Sequence, residues 1–458
     1  MPLSVGKFDE ALRVVKKLRT SGFEAFLAGG CVRDLLLGRE PADYDVATSA
    51  TPDLVLDMFE RTFAVGAKFG VVLVAPEDAG YVTEVATYRS DGAYSDGRRP
   101  DAVRYSKSAE EDVQRRDFTI NGLLLDPLRD GGIMGDLSGL RAAVLDYVGG
   151  VEDLDAGVVR AIGRAEFRFE EDQLRMLRGV RFATRFGFEL EQRTRNAIRA
   201  LAAKVNGVSR ERVRDELTKM LTEGRARRAF ELLDETNLLQ QVLPEIARMK
   251  GVEQPAQFHP EGDVWIHTLM LLEQLEPDCS ETLAWGALLH DVGKPPTFRR
   301  APDRIRFDGH VEMGVTMAAE ICRRLRFSNE ETRQILALVD NHMRFMDTSR
   351  MKESTLKRFL RLPQFEEHLA LHKMDCVAGS GFLENWEFMR EKMRTLPMET
   401  VRPRPLITGR ELIAAGYRPG PVFMEMLREV EDAQLEGKIA TADEALRLVL
   451  QKYGDAPH

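Results

Sequence analysis

The 458-residue chain is too long for one compact core and, with 43% hydrophobic and 30% charged residues, has the composition of a globular protein of roughly two to four domains. No apolar stretch is long enough to span a bilayer and no secretory pattern opens the chain, so we expect a cytoplasmic protein without a membrane partner. The four cysteines show no paired spacing, which argues against a disulfide framework, and a net charge of −9 argues on average against a nucleic-acid partner.

The first predicted elements are a helix, a buried strand and a glycine turn. Residues 7–21 carry apolar side chains at helical spacing, and the apolar run that ends at Ala28 is typical of a buried strand. Gly29 and Gly30 follow it, and glycine lets backbone N–H groups approach a phosphate closely. Arg33, on the helix that we expect to begin here, is then within reach of a triphosphate.

Asp43 and Asp45 come next and are separated by Tyr44. On an extended segment both carboxylates lie on one face and Tyr44 lies on the other. Carboxylates this close repel each other unless a cation lies between them, and Mg²⁺ prefers such oxygen ligands together with substrate phosphates. A pair of this kind is by itself more typical of a solvated loop. Together with the glycine turn and Arg33, it predicts a nucleotidyl-transfer site whose catalytic residues are Asp43 and Asp45.

Strand patterns prevail up to about residue 150. Residues 65–74 have the pattern of a hairpin, and residues 81–88 have that of a further strand. Glu84 is the lone acid in that strand, and the sequence leaves open whether it is a third metal-site carboxylate or a residue that faces water. The segment 90–100, with its glycines and adjacent arginines, predicts a mobile, positively charged loop.

The next polar run begins with Arg115 and Arg116 and continues to Asp117 and Asn121. Adjacent guanidinium groups beside an acid and an amide supply the donors that triphosphate oxygens need. The string is weak evidence alone and gains its weight from following the aspartate pair. We therefore interpret it as part of the same triphosphate site.

The run from Glu171 to Phe182 predicts a helix on which Asp172, Arg175 and Arg178 share a face at steps of three. Acidic and basic residues at this spacing more commonly form an exposed ion pair. A second interpretation rests on hydrogen bonding, because a carboxylate accepts from an exocyclic amine while a guanidinium donates to the ring acceptor beside it. That pairing matches cytosine and adenine but not uracil or guanine, and so predicts selection of CTP and ATP.

From about residue 150 onward the periodicity is helical. Arginines are concentrated between residues 160 and 185 and again between 210 and 228. An RNA-facing stripe can exist on a globally acidic protein, while the second concentration is equally consistent with solvated helical faces.

A separate set of histidines and aspartates surrounds the pair His290 and Asp291, which lies at a predicted helix end. The pattern resembles the HD phosphohydrolase domain, in which a first histidine, the adjacent pair and a distant aspartate bind metal. The resemblance gives these roles to His267, His290, Asp291 and Asp375, and His310 and His342 suit a second metal ion. Mixed nitrogen and oxygen ligands do not fix the metal, so manganese, nickel, iron and magnesium stay open.

The N-terminal runs, taken in order over roughly residues 20–260, resemble the class II tRNA nucleotidyltransferases, the CCA-adding enzymes, which have poly(A) polymerases as relatives. The resemblance implies that Asp43 and Asp45 bind the catalytic magnesium. The positions that match the family's nucleotide-contacting and base-selecting residues are Gly30, Arg33, Arg116, Asp172, Arg175, Arg178 and Arg181. Members of this family sometimes carry an HD domain with phosphatase or phosphodiesterase activity.

The resemblance implies template-independent addition of CCA, or of the terminal A, to the 3′ end of tRNA from CTP and ATP. In that mechanism the RNA 3′-hydroxyl attacks the α-phosphate at a two-magnesium site, while Asp172 and Arg175 supply the pairing edge. Helices beyond residue 190 would hold the acceptor arm through its phosphates. The predicted loop at 91–100 disfavours CC-only addition, because family members that add only CC tend to lack it.

Three alternative functions fit the sequence less well. Poly(A) polymerases carry an arginine-phenylalanine pair followed by a histidine where this chain has Lys68 and Phe69, and the departure disfavours that activity. A metal-dependent phosphohydrolase whose head merely binds nucleotide is disfavoured by the intact Asp43 and Asp45. A non-catalytic RNA-binding protein would not need two metal sites.

The predicted fold is α+β, with a mixed nucleotidyltransferase head followed by all-helical regions. We expect the catalytic head over residues 1–150, a base-selecting neck over 151–215 and a tRNA-binding body over 216–260. The HD-type domain follows over 261–380 and a helical tail over 381–458. The sequence does not indicate the oligomeric state.

Overall fold

The computed structural model describes residues 5–66, 70–76, 81–91, 103–129, 137–257 and 259–454. The chain divides into two compact units, Met1–Ala247 and Arg248–His458. The finer predicted boundaries of head, neck, body, HD-type domain and tail stay predictions.

The first unit is built on a mixed sheet. In chain order its strands are β1 (Ala25–Ala28), β2 (Asp45–Thr48), β3 (Thr62–Gly66), β4 (Val71–Val74), β5 (Thr83–Thr87), β6 (Arg89–Asp91), β7 (Val103–Tyr105), β8 (Leu123–Leu125), β9 (Val144–Asp146), β10 (Val158–Val159) and β11 (Glu189–Leu190). The large sheet has the order β3-β4-β5-β2-β1-β8-β9, while β6 pairs with β7 and β10 with β11. Strands β2 and β5 run parallel, and the other neighbours in the large sheet are antiparallel.

The helices of the first unit cover the sheet and then form the helical part that follows it. They are α1 (Val5–Thr20), α2 (Gly30–Leu36), α3 (Pro52–Met58), α4 (Ala109–Gln114), α5 (Leu137–Ala142), α6 (Gly150–Ala156), α7 (Ala165–Glu171), α8 (Leu174–Phe186), α9 (Gln192–Leu201), α10 (Arg210–Thr222), α11 (Ala226–Glu235), α12 (Leu239–Val242) and α13 (Pro244–Ala247). Short 3-10 helices span Thr119–Asn121 and Ala202–Gly207.

The predicted first helix is α1, which packs against β1, β2 and β5. Its apolar residues Val14, Val15 and Leu18 are fully buried, and each such side chain stabilises the fold by about 1.5–3 kcal/mol relative to exposure. Leu27 of β1 is equally buried. This packing fixes the position of β1 and β2, whose ends carry the glycine turn and the aspartate pair.

The second unit is helical apart from one short hairpin. Its helices are α14 (Val264–Glu273), α15 (Glu281–Leu289), α16 (Lys294–Thr297), α17 (His310–Arg324), α18 (Asn329–Asn341), α19 (Glu353–Leu360), α20 (Phe365–Ala378), α21 (Glu384–Thr395), α22 (Met398–Val401), α23 (Gly409–Ala414), α24 (Pro421–Leu435) and α25 (Ala442–Tyr453). A 3-10 helix spans His342–Arg350, and strands β12 (Arg299–Arg300) and β13 (Ile305–Arg306) form the hairpin.

The predicted fold class, a mixed head followed by helical regions, is confirmed, with three local corrections. The helical regions contain the two-residue strands β10 to β13, so they are not all-helical. Ser90 and Asp91, predicted to lie in the loop over residues 90–100, belong to β6. The helix predicted across Asp172 is interrupted there, because α7 ends at Glu171 and α8 begins at Leu174.

Two predictions concern segments outside the described residues. The charged loop falls mostly on residues 92–100, and the departure from poly(A) polymerases rests on Lys68 and Phe69. Among the helices that the structure describes, none combines the length and apolar character that crossing a bilayer requires.

Candidate active site and candidate metal centre

The glycine turn joins β1 to α2. Gly29 has φ 73°, a left-handed conformation that side chains rarely adopt, and a Cβ there would lie 2.9 Å from Nη1 of Arg116. Gly30 is the first residue of α2, and a Cβ there would meet Arg33 at an ordinary 3.5 Å. Glycine is therefore required most strictly at Gly29, whereas the sequence pointed to Gly30.

Arg33 is almost completely buried and held on several sides. Its Nη1 donates to Oδ1 of Asn121 at 2.6 Å, and its Nε donates to Oδ1 of Asp34 at 2.9 Å. The guanidinium carbon also lies 4.5 Å from the centre of the Phe186 ring. Burial lowers the pKa of Arg33, against the opposing effect of Asp34. The protein thus fixes this cation in place beside the glycine turn.

The aspartate pair has the alternation that the sequence predicts. Tyr44 is buried, with its ring 5.6 Å from that of Phe8, whereas Asp43 is exposed and Asp45 is partly exposed. Asp45 begins β2 and is paired in register with Glu84 of the parallel strand β5. Burial and the nearby Glu84 raise the pKa of Asp45 to about 6. Burial and the charge of Asp43 raise the pKa of Glu84.

These pKa shifts show that the three carboxylates repel one another, which is the situation a bound divalent cation relieves. Their oxygens do not form a group within 4.8 Å of one another, in contrast to the tight ligand groups of the second unit. Of the two readings of Glu84 that the sequence left open, its place beside Asp45 favours the metal-site carboxylate.

Arg115 and Arg116 are held by one buried carboxylate. Both guanidinium groups donate to Asp112, at 2.8 Å from Nη2 of Arg115 and 3.1 Å from Nη2 of Arg116. Nη1 of Arg116 also donates to the backbone oxygen of Asn121 at 3.4 Å. These contacts fix both arginines at the edge of the cavity described below. The carboxylates of Asp45 in β2 and Glu84 in β5 line the same cavity, so the two guanidinium groups place positive charge near them.

Asp172 occupies the break between α7 and α8, so it does not share a helical face with Arg175 and Arg178 as predicted. Its Oδ1 accepts from the backbone N–H of Leu174 at 3.0 Å, and its Oδ2 accepts from Nη2 of Arg212 at 2.8 Å. A carboxylate that accepts local backbone N–H groups favours a non-helical conformation, which explains the interruption. The ion-pair partner of Asp172 is therefore Arg212 of α10, and the alternative of an exposed ion pair between Asp172 and Arg175 is not observed.

The three arginines of α8 that the sequence singled out have different partners. Nη1 of Arg175 donates to Glu171 at 2.7 Å, and its Nη2 donates to the backbone oxygen of Arg115 at 3.1 Å. Nε of Arg178 donates to Asp117 at 2.8 Å. Burial opposes ionisation of Asp117, but Arg178 prevails and lowers its pKa to about 2.

Arg181 is buried, and its Nε donates to Oε2 of Glu216 at 2.7 Å. The side chains of this pair are only 7% and 5% exposed, so the contact joins α8 to α10 inside the helical part. The geometry therefore gives Arg181 a structural role alongside its place at the cavity edge.

One cavity of about 590 Å³ gathers most of these side chains. It joins the glycine turn and Asp45 to Glu84, the arginine pair, Asp172 and the arginines of α8. The predicted residues that line it are Gly30, Arg33, Asp45, Arg116, Asp172, Arg175, Arg178 and Arg181. Asp43 is the one predicted catalytic or nucleotide-contacting residue outside its lining, although its charge acts on Asp45 and Glu84.

Sequence reasoning missed the partners that fix this site. Arg212 carried no signal beyond its membership of an arginine-rich segment, because its role depends on α10 packing beside α8. Asp112 belongs to the acidic stretch 110–112 of the sequence. No periodicity of apolar residues indicates that its side chain is buried between two arginines. Glu171 is the first residue of the run from Glu171 to Phe182 and lies four residues before Arg175. Helical side chains at this spacing are neighbours, so the sequence could have indicated the contact between Glu171 and Arg175.

In the second unit the structure brings together all six predicted metal ligands. Nε2 of His267 lies 3.0 Å from Oδ1 of Asp375, and Nε2 of His290 lies 3.2 Å from Oδ2 of Asp291. Nε2 of His342 lies 3.8 Å from Oδ1 of Asp291. The six ligands form two groups whose ligand atoms lie within 4.8 Å of one another: His267, His290 and Asp375, and Asp291, His310 and His342.

Three of the histidines share one orientation. In His290, His310 and His342, Nδ1 lies 2.6–2.9 Å from the backbone oxygen three residues earlier. A carbonyl only accepts, so Nδ1 carries the proton and Nε2 presents a lone pair. Within the described part of the chain, each of these buried Nε2 atoms has no hydrogen-bond partner. This arrangement, with one ring nitrogen held by a backbone acceptor, is the one that metal-ligating histidines adopt.

The charges at this centre are strongly coupled. Burial opposes ionisation of Asp291, yet Lys294 and His290 hold its pKa well below the usual range, and Nζ of Lys294 lies 2.7 Å from Oδ2. Burial opposes protonation of His267, but Asp375 and Glu261 raise its pKa to about 9. Burial lowers the pKa of His342 to about 4, which keeps that ring neutral and able to ligate metal.

The sequence missed His259 and Glu261, which extend the centre outward. Oε1 of Glu261 lies 2.6 Å from Nδ1 of His267 and 2.9 Å from Nδ1 of His259. Glu261 thus orients His267 as a carboxylate orients a metal-bound imidazole. The sequence feature that could have identified Glu261 is its position six residues before the predicted metal ligand His267. A cavity of about 400 Å³ opens beside the centre and is lined by Asp291, His310, His342 and Asp375, among others.

Comparison with known protein families matches three segments of the chain. Residues 25–160 match the poly A polymerase head domain, and residues 187–250 match the probable RNA and SrmB-binding site of polymerase A. Residues 263–378 match the HD domain. The first two matches contain the cavity of the first unit except for the segment around α8, and the third contains the six predicted metal ligands.

Individual relatives match nearly the full chain or about half of it. A CCA-adding enzyme of Lactobacillus helveticus is 30% identical over 450 residues, which are 97% of each chain. That of Geobacillus thermodenitrificans is 42% identical over 231 residues, which are 50% of this chain and 54% of the relative. A Bacillus stearothermophilus CCA-adding enzyme solved with CTP has a TM-score of 0.72 and 27% identity, and the match covers 98% of this chain and 97% of that one.

Proposed function

Since this chain belongs to the CCA-adding enzyme family, we propose that it adds CCA, or its terminal A, to the 3′ end of tRNA from CTP and ATP without a nucleic-acid template. The observation that carries the proposal is the cavity of the first unit. It places carboxylates that can bind a divalent cation, arginines that can bind a triphosphate and a carboxylate–guanidinium edge that can pair with a base within about 590 Å³.

Asp43, Asp45 and Glu84 are the residues that would hold Mg²⁺. They fit it because they offer hard oxygen ligands and because burial, together with the charge of neighbouring carboxylates, raises the pKa of Asp45 and Glu84. When bound, Mg²⁺ lowers the pKa of a hydroxyl nucleophile and neutralises charge on phosphate oxygens.

The residues around the carboxylates orient the triphosphate. Arg116, anchored by Asp112, presents positive charge to the cavity that Asp45 lines, and Arg33, held by Asp34 and Asn121, lines the same cavity beside the glycine turn. In the reaction the 3′-hydroxyl oxygen of RNA bonds to the α-phosphorus as the bond to the bridging oxygen breaks and pyrophosphate leaves. The hydroxyl proton passes to solvent or to a carboxylate of the site.

Base selection rests on Asp172 and Arg175. Arg212 holds Asp172, and Glu171 holds Arg175, so both side chains are fixed before a nucleotide enters. Such preorganised donors and acceptors can select cytosine and adenine over uracil and guanine in place of a template base. Residues 187–250, with α9 to α11, would contact the acceptor arm through its phosphates.

The test uses tRNA ending at the discriminator base, at C and at CC, with each labelled nucleotide in turn. We expect incorporation of C on the first two substrates and of A on the third, and no extension of unstructured RNA. Extension of any RNA by repeated A addition would support poly(A) polymerase instead. Asp43→Ala should abolish incorporation and leave any hydrolytic activity of the second unit intact.

We propose metal-dependent phosphoester hydrolysis as a second activity, located in the second unit. The observation that favours it is the shared orientation of His290, His310 and His342, each with a buried Nε2 directed to carboxylates. His267, His290, Asp291 and Asp375 would hold one divalent ion, and His310 and His342 would complete a second site with Asp291. Bound divalent ions supply a hydroxide nucleophile and Lewis-acid activation of the phosphoryl group.

Hydrolysis of p-nitrophenyl phosphate by the purified protein, with Mn²⁺, Ni²⁺ or Mg²⁺ supplied, tests this activity. Asp291→Ala should remove both hydrolysis and bound metal while CCA addition continues. Hydrolysis that persists in Asp291→Ala would contradict the assignment.

A further inference from the structure

The side chain of Asn121 joins two parts of the cavity in the first unit. Asn121 ends the 3-10 helix Thr119–Asn121, is 7% exposed and lines the cavity. Its Oδ1 accepts from Nη1 of Arg33 at 2.6 Å, and its Nδ2 donates to Oδ1 of Asp117 at 3.0 Å. Oδ2 of Asp117 accepts from Nε of Arg178 at 2.8 Å. A continuous chain of hydrogen bonds therefore runs from α2, beside the glycine turn, to α8.

An amide is the side-chain group that suits both neighbours of Asn121. The guanidinium of Arg33 only donates hydrogen bonds, and the ionised carboxylate of Asp117 only accepts them. An amide offers an acceptor to the first and a donor to the second without adding a charge. A carboxylate in its place would face the carboxylate of Asp117 and repel it, and an apolar side chain would remove one hydrogen bond from each neighbour.

The other contacts of Arg33 leave a separate role for Asn121. Asp34 accepts from Nε of Arg33 at 2.9 Å, but it is the next residue of the same helix and moves with it. The rings of Phe182 and Phe186 on α8 lie 5.4 Å and 4.5 Å from the guanidinium carbon. A ring face attracts a cation without a fixed donor–acceptor axis, whereas a hydrogen bond has a preferred direction. Among these contacts, the hydrogen bond to Asn121 is the one that fixes the orientation of Arg33 relative to α8.

The segment that carries Asn121 is itself held against α8. Phe118, three residues before Asn121, is fully buried, and its ring lies 5.9 Å from that of Phe182 in an edge-on arrangement. A Cβ at Gly179 would lie only 3.0 Å from Cζ of Phe118, so the helix packs closely on this ring. The backbone oxygen of Asn121 also accepts from Nη1 of Arg116 at 3.4 Å. Asn121 therefore has a fixed position from which to hold Arg33.

The two ends of this hydrogen-bond chain serve different parts of a nucleotide in the proposed function. Arg33 lies beside the glycine turn at the proposed triphosphate site, whereas α8 carries Arg175 of the proposed base-selecting edge. In a nucleoside triphosphate the base and the α-phosphate are joined covalently through the ribose, so their separation has narrow limits. The protein must hold the two regions at a matching separation, since a misplacement of about 1 Å lowers a reaction rate by about a hundredfold.

We propose that Asn121 is a positioning residue for nucleotide addition. It holds Arg33 at a fixed separation and orientation relative to the Asp117–Arg178 pair, so a nucleotide whose base is bound at α8 has its α-phosphate at the metal-site carboxylates. The inference rests on the proposed CCA addition. It adds a residue that acts on the rate of the step through Arg33 and not through contact with the nucleotide.

Single-turnover incorporation of C from CTP into tRNA that ends at the discriminator base tests the inference, with the full-length protein in excess and Mg²⁺ supplied. Asn121→Leu keeps the size of the side chain and removes both hydrogen bonds. Asn121→Asp keeps an acceptor for Arg33 and loses the donor to Asp117. Because the residues proposed to contact the nucleotide remain, each variant should lower the rate at saturating CTP by about tenfold to a hundredfold and leave the half-saturating CTP concentration nearly unchanged.

Thr119→Val is the matched control. Thr119 lies on the same 3-10 helix and is buried, and its Oγ1 donates to Oδ2 of Asp153 at 2.6 Å. It is not among the described residues that line the cavity. The control removes a buried hydrogen bond of the same segment, so it should lower the unfolding temperature and keep the wild-type saturating rate. Rates are compared at a temperature at which thermal unfolding shows every variant to be folded, and Asn121→Asp carries the comparison if Asn121→Leu does not fold.

A wild-type saturating rate in either folded Asn121 variant would overturn the inference. An equal fall of the rate in Thr119→Val would overturn it as well, because general damage to the segment would then account for the effect. So would a higher CTP requirement at an unchanged saturating rate, because Asn121 would then contribute to binding alone. A wild-type protein that incorporates neither C nor A would refute the proposed function and the positioning role with it, so the two failures give different results.

Discussion

Asp45 and Glu84 occupy paired positions on the neighbouring parallel strands β2 and β5. Their side chains line the same cavity, and the charge of Glu84 contributes to the raised pKa of Asp45. The two residues are far apart in the sequence and become neighbours only when β2 and β5 pair in the sheet. The sequence alone therefore does not show that these two carboxylates lie side by side.

Glu84→Gln is expected to raise the Mg²⁺ concentration required for half-maximal nucleotide incorporation by about tenfold, because one anionic ligand is lost. Titration of Mg²⁺ in the incorporation assay measures it. Glu60→Gln, which removes an exposed carboxylate of the same unit, should have no effect. An unchanged Mg²⁺ requirement in Glu84→Gln would show that Glu84 is simply a strand residue that faces water.

Arg212→Gln is expected to reduce discrimination between CTP and UTP by about tenfold, because Asp172 loses the contact that fixes its Oδ2. The ratio of incorporation efficiencies for the two nucleotides on tRNA ending at the discriminator base measures this. Arg210→Gln, at the first position of the same helix, is the matched control. Equal losses for CTP and UTP would indicate general damage and contradict a role in selection.

Glu216→Gln is expected to destabilise the first unit by about 3 kcal/mol, because it leaves the buried Arg181 with only the longer, 3.5 Å contact to the carboxylate of Glu223. Denaturant unfolding followed by a probe in the first unit measures the change in the free energy of unfolding. The exposed pair Arg141–Asp155 provides the comparison, since Asp155→Asn should cost at most about 1 kcal/mol. Similar effects of the two changes would argue against a structural role for the Arg181–Glu216 pair.

His368 should make the stability of the second unit depend on pH. Burial lowers its pKa to about 4, with Arg344 acting in the same direction, from an ordinary value of about 6.5. The unfolded chain therefore binds a proton first as pH falls, so the stabilisation is complete above about pH 6.5 and is lost toward pH 4. From pH 7 to 4.5, His368→Gln should lose about 2 kcal/mol less unfolding free energy than the wild type.

That comparison is made in one buffer series, so pH effects on other groups cancel in the difference between the two proteins. Altered packing against Phe365 changes the variant's stability at pH 7 but not the difference between the two pH profiles. Parallel pH profiles of the two proteins would refute the assignment.

His342→Ala is expected to lower the metal content by about one ion per chain relative to the wild type, because of the two ions predicted in the second unit only the second uses this ligand. Mass spectrometry of the protein purified with Mn²⁺ gives the stoichiometry. His368→Gln leaves the six predicted ligands in place and should retain the wild-type content. Loss of about two ions per chain in His342→Ala would indicate that the second unit's ions depend on one shared site.

The sequence by itself determined the fold class and most of the candidate site residues. Alternation across Asp43, Tyr44 and Asp45 follows from strand geometry, and the helix end at His290 follows from local periodicity, so both were predictable. The same local rules failed at Asp172, because a side chain that accepts backbone N–H groups interrupts a helix without disturbing the apolar spacing around it.

Only the tertiary structure decided which partners hold these residues. The pairing of Asp45 with Glu84, of Asp172 with Arg212 and of His267 with Asp375 joins positions far apart in the chain. Periodicity reports which face of an element is buried, but not which distant element packs against it. Sheet register and helix packing supply that information, and they set the distances and burial on which the charges of both sites depend.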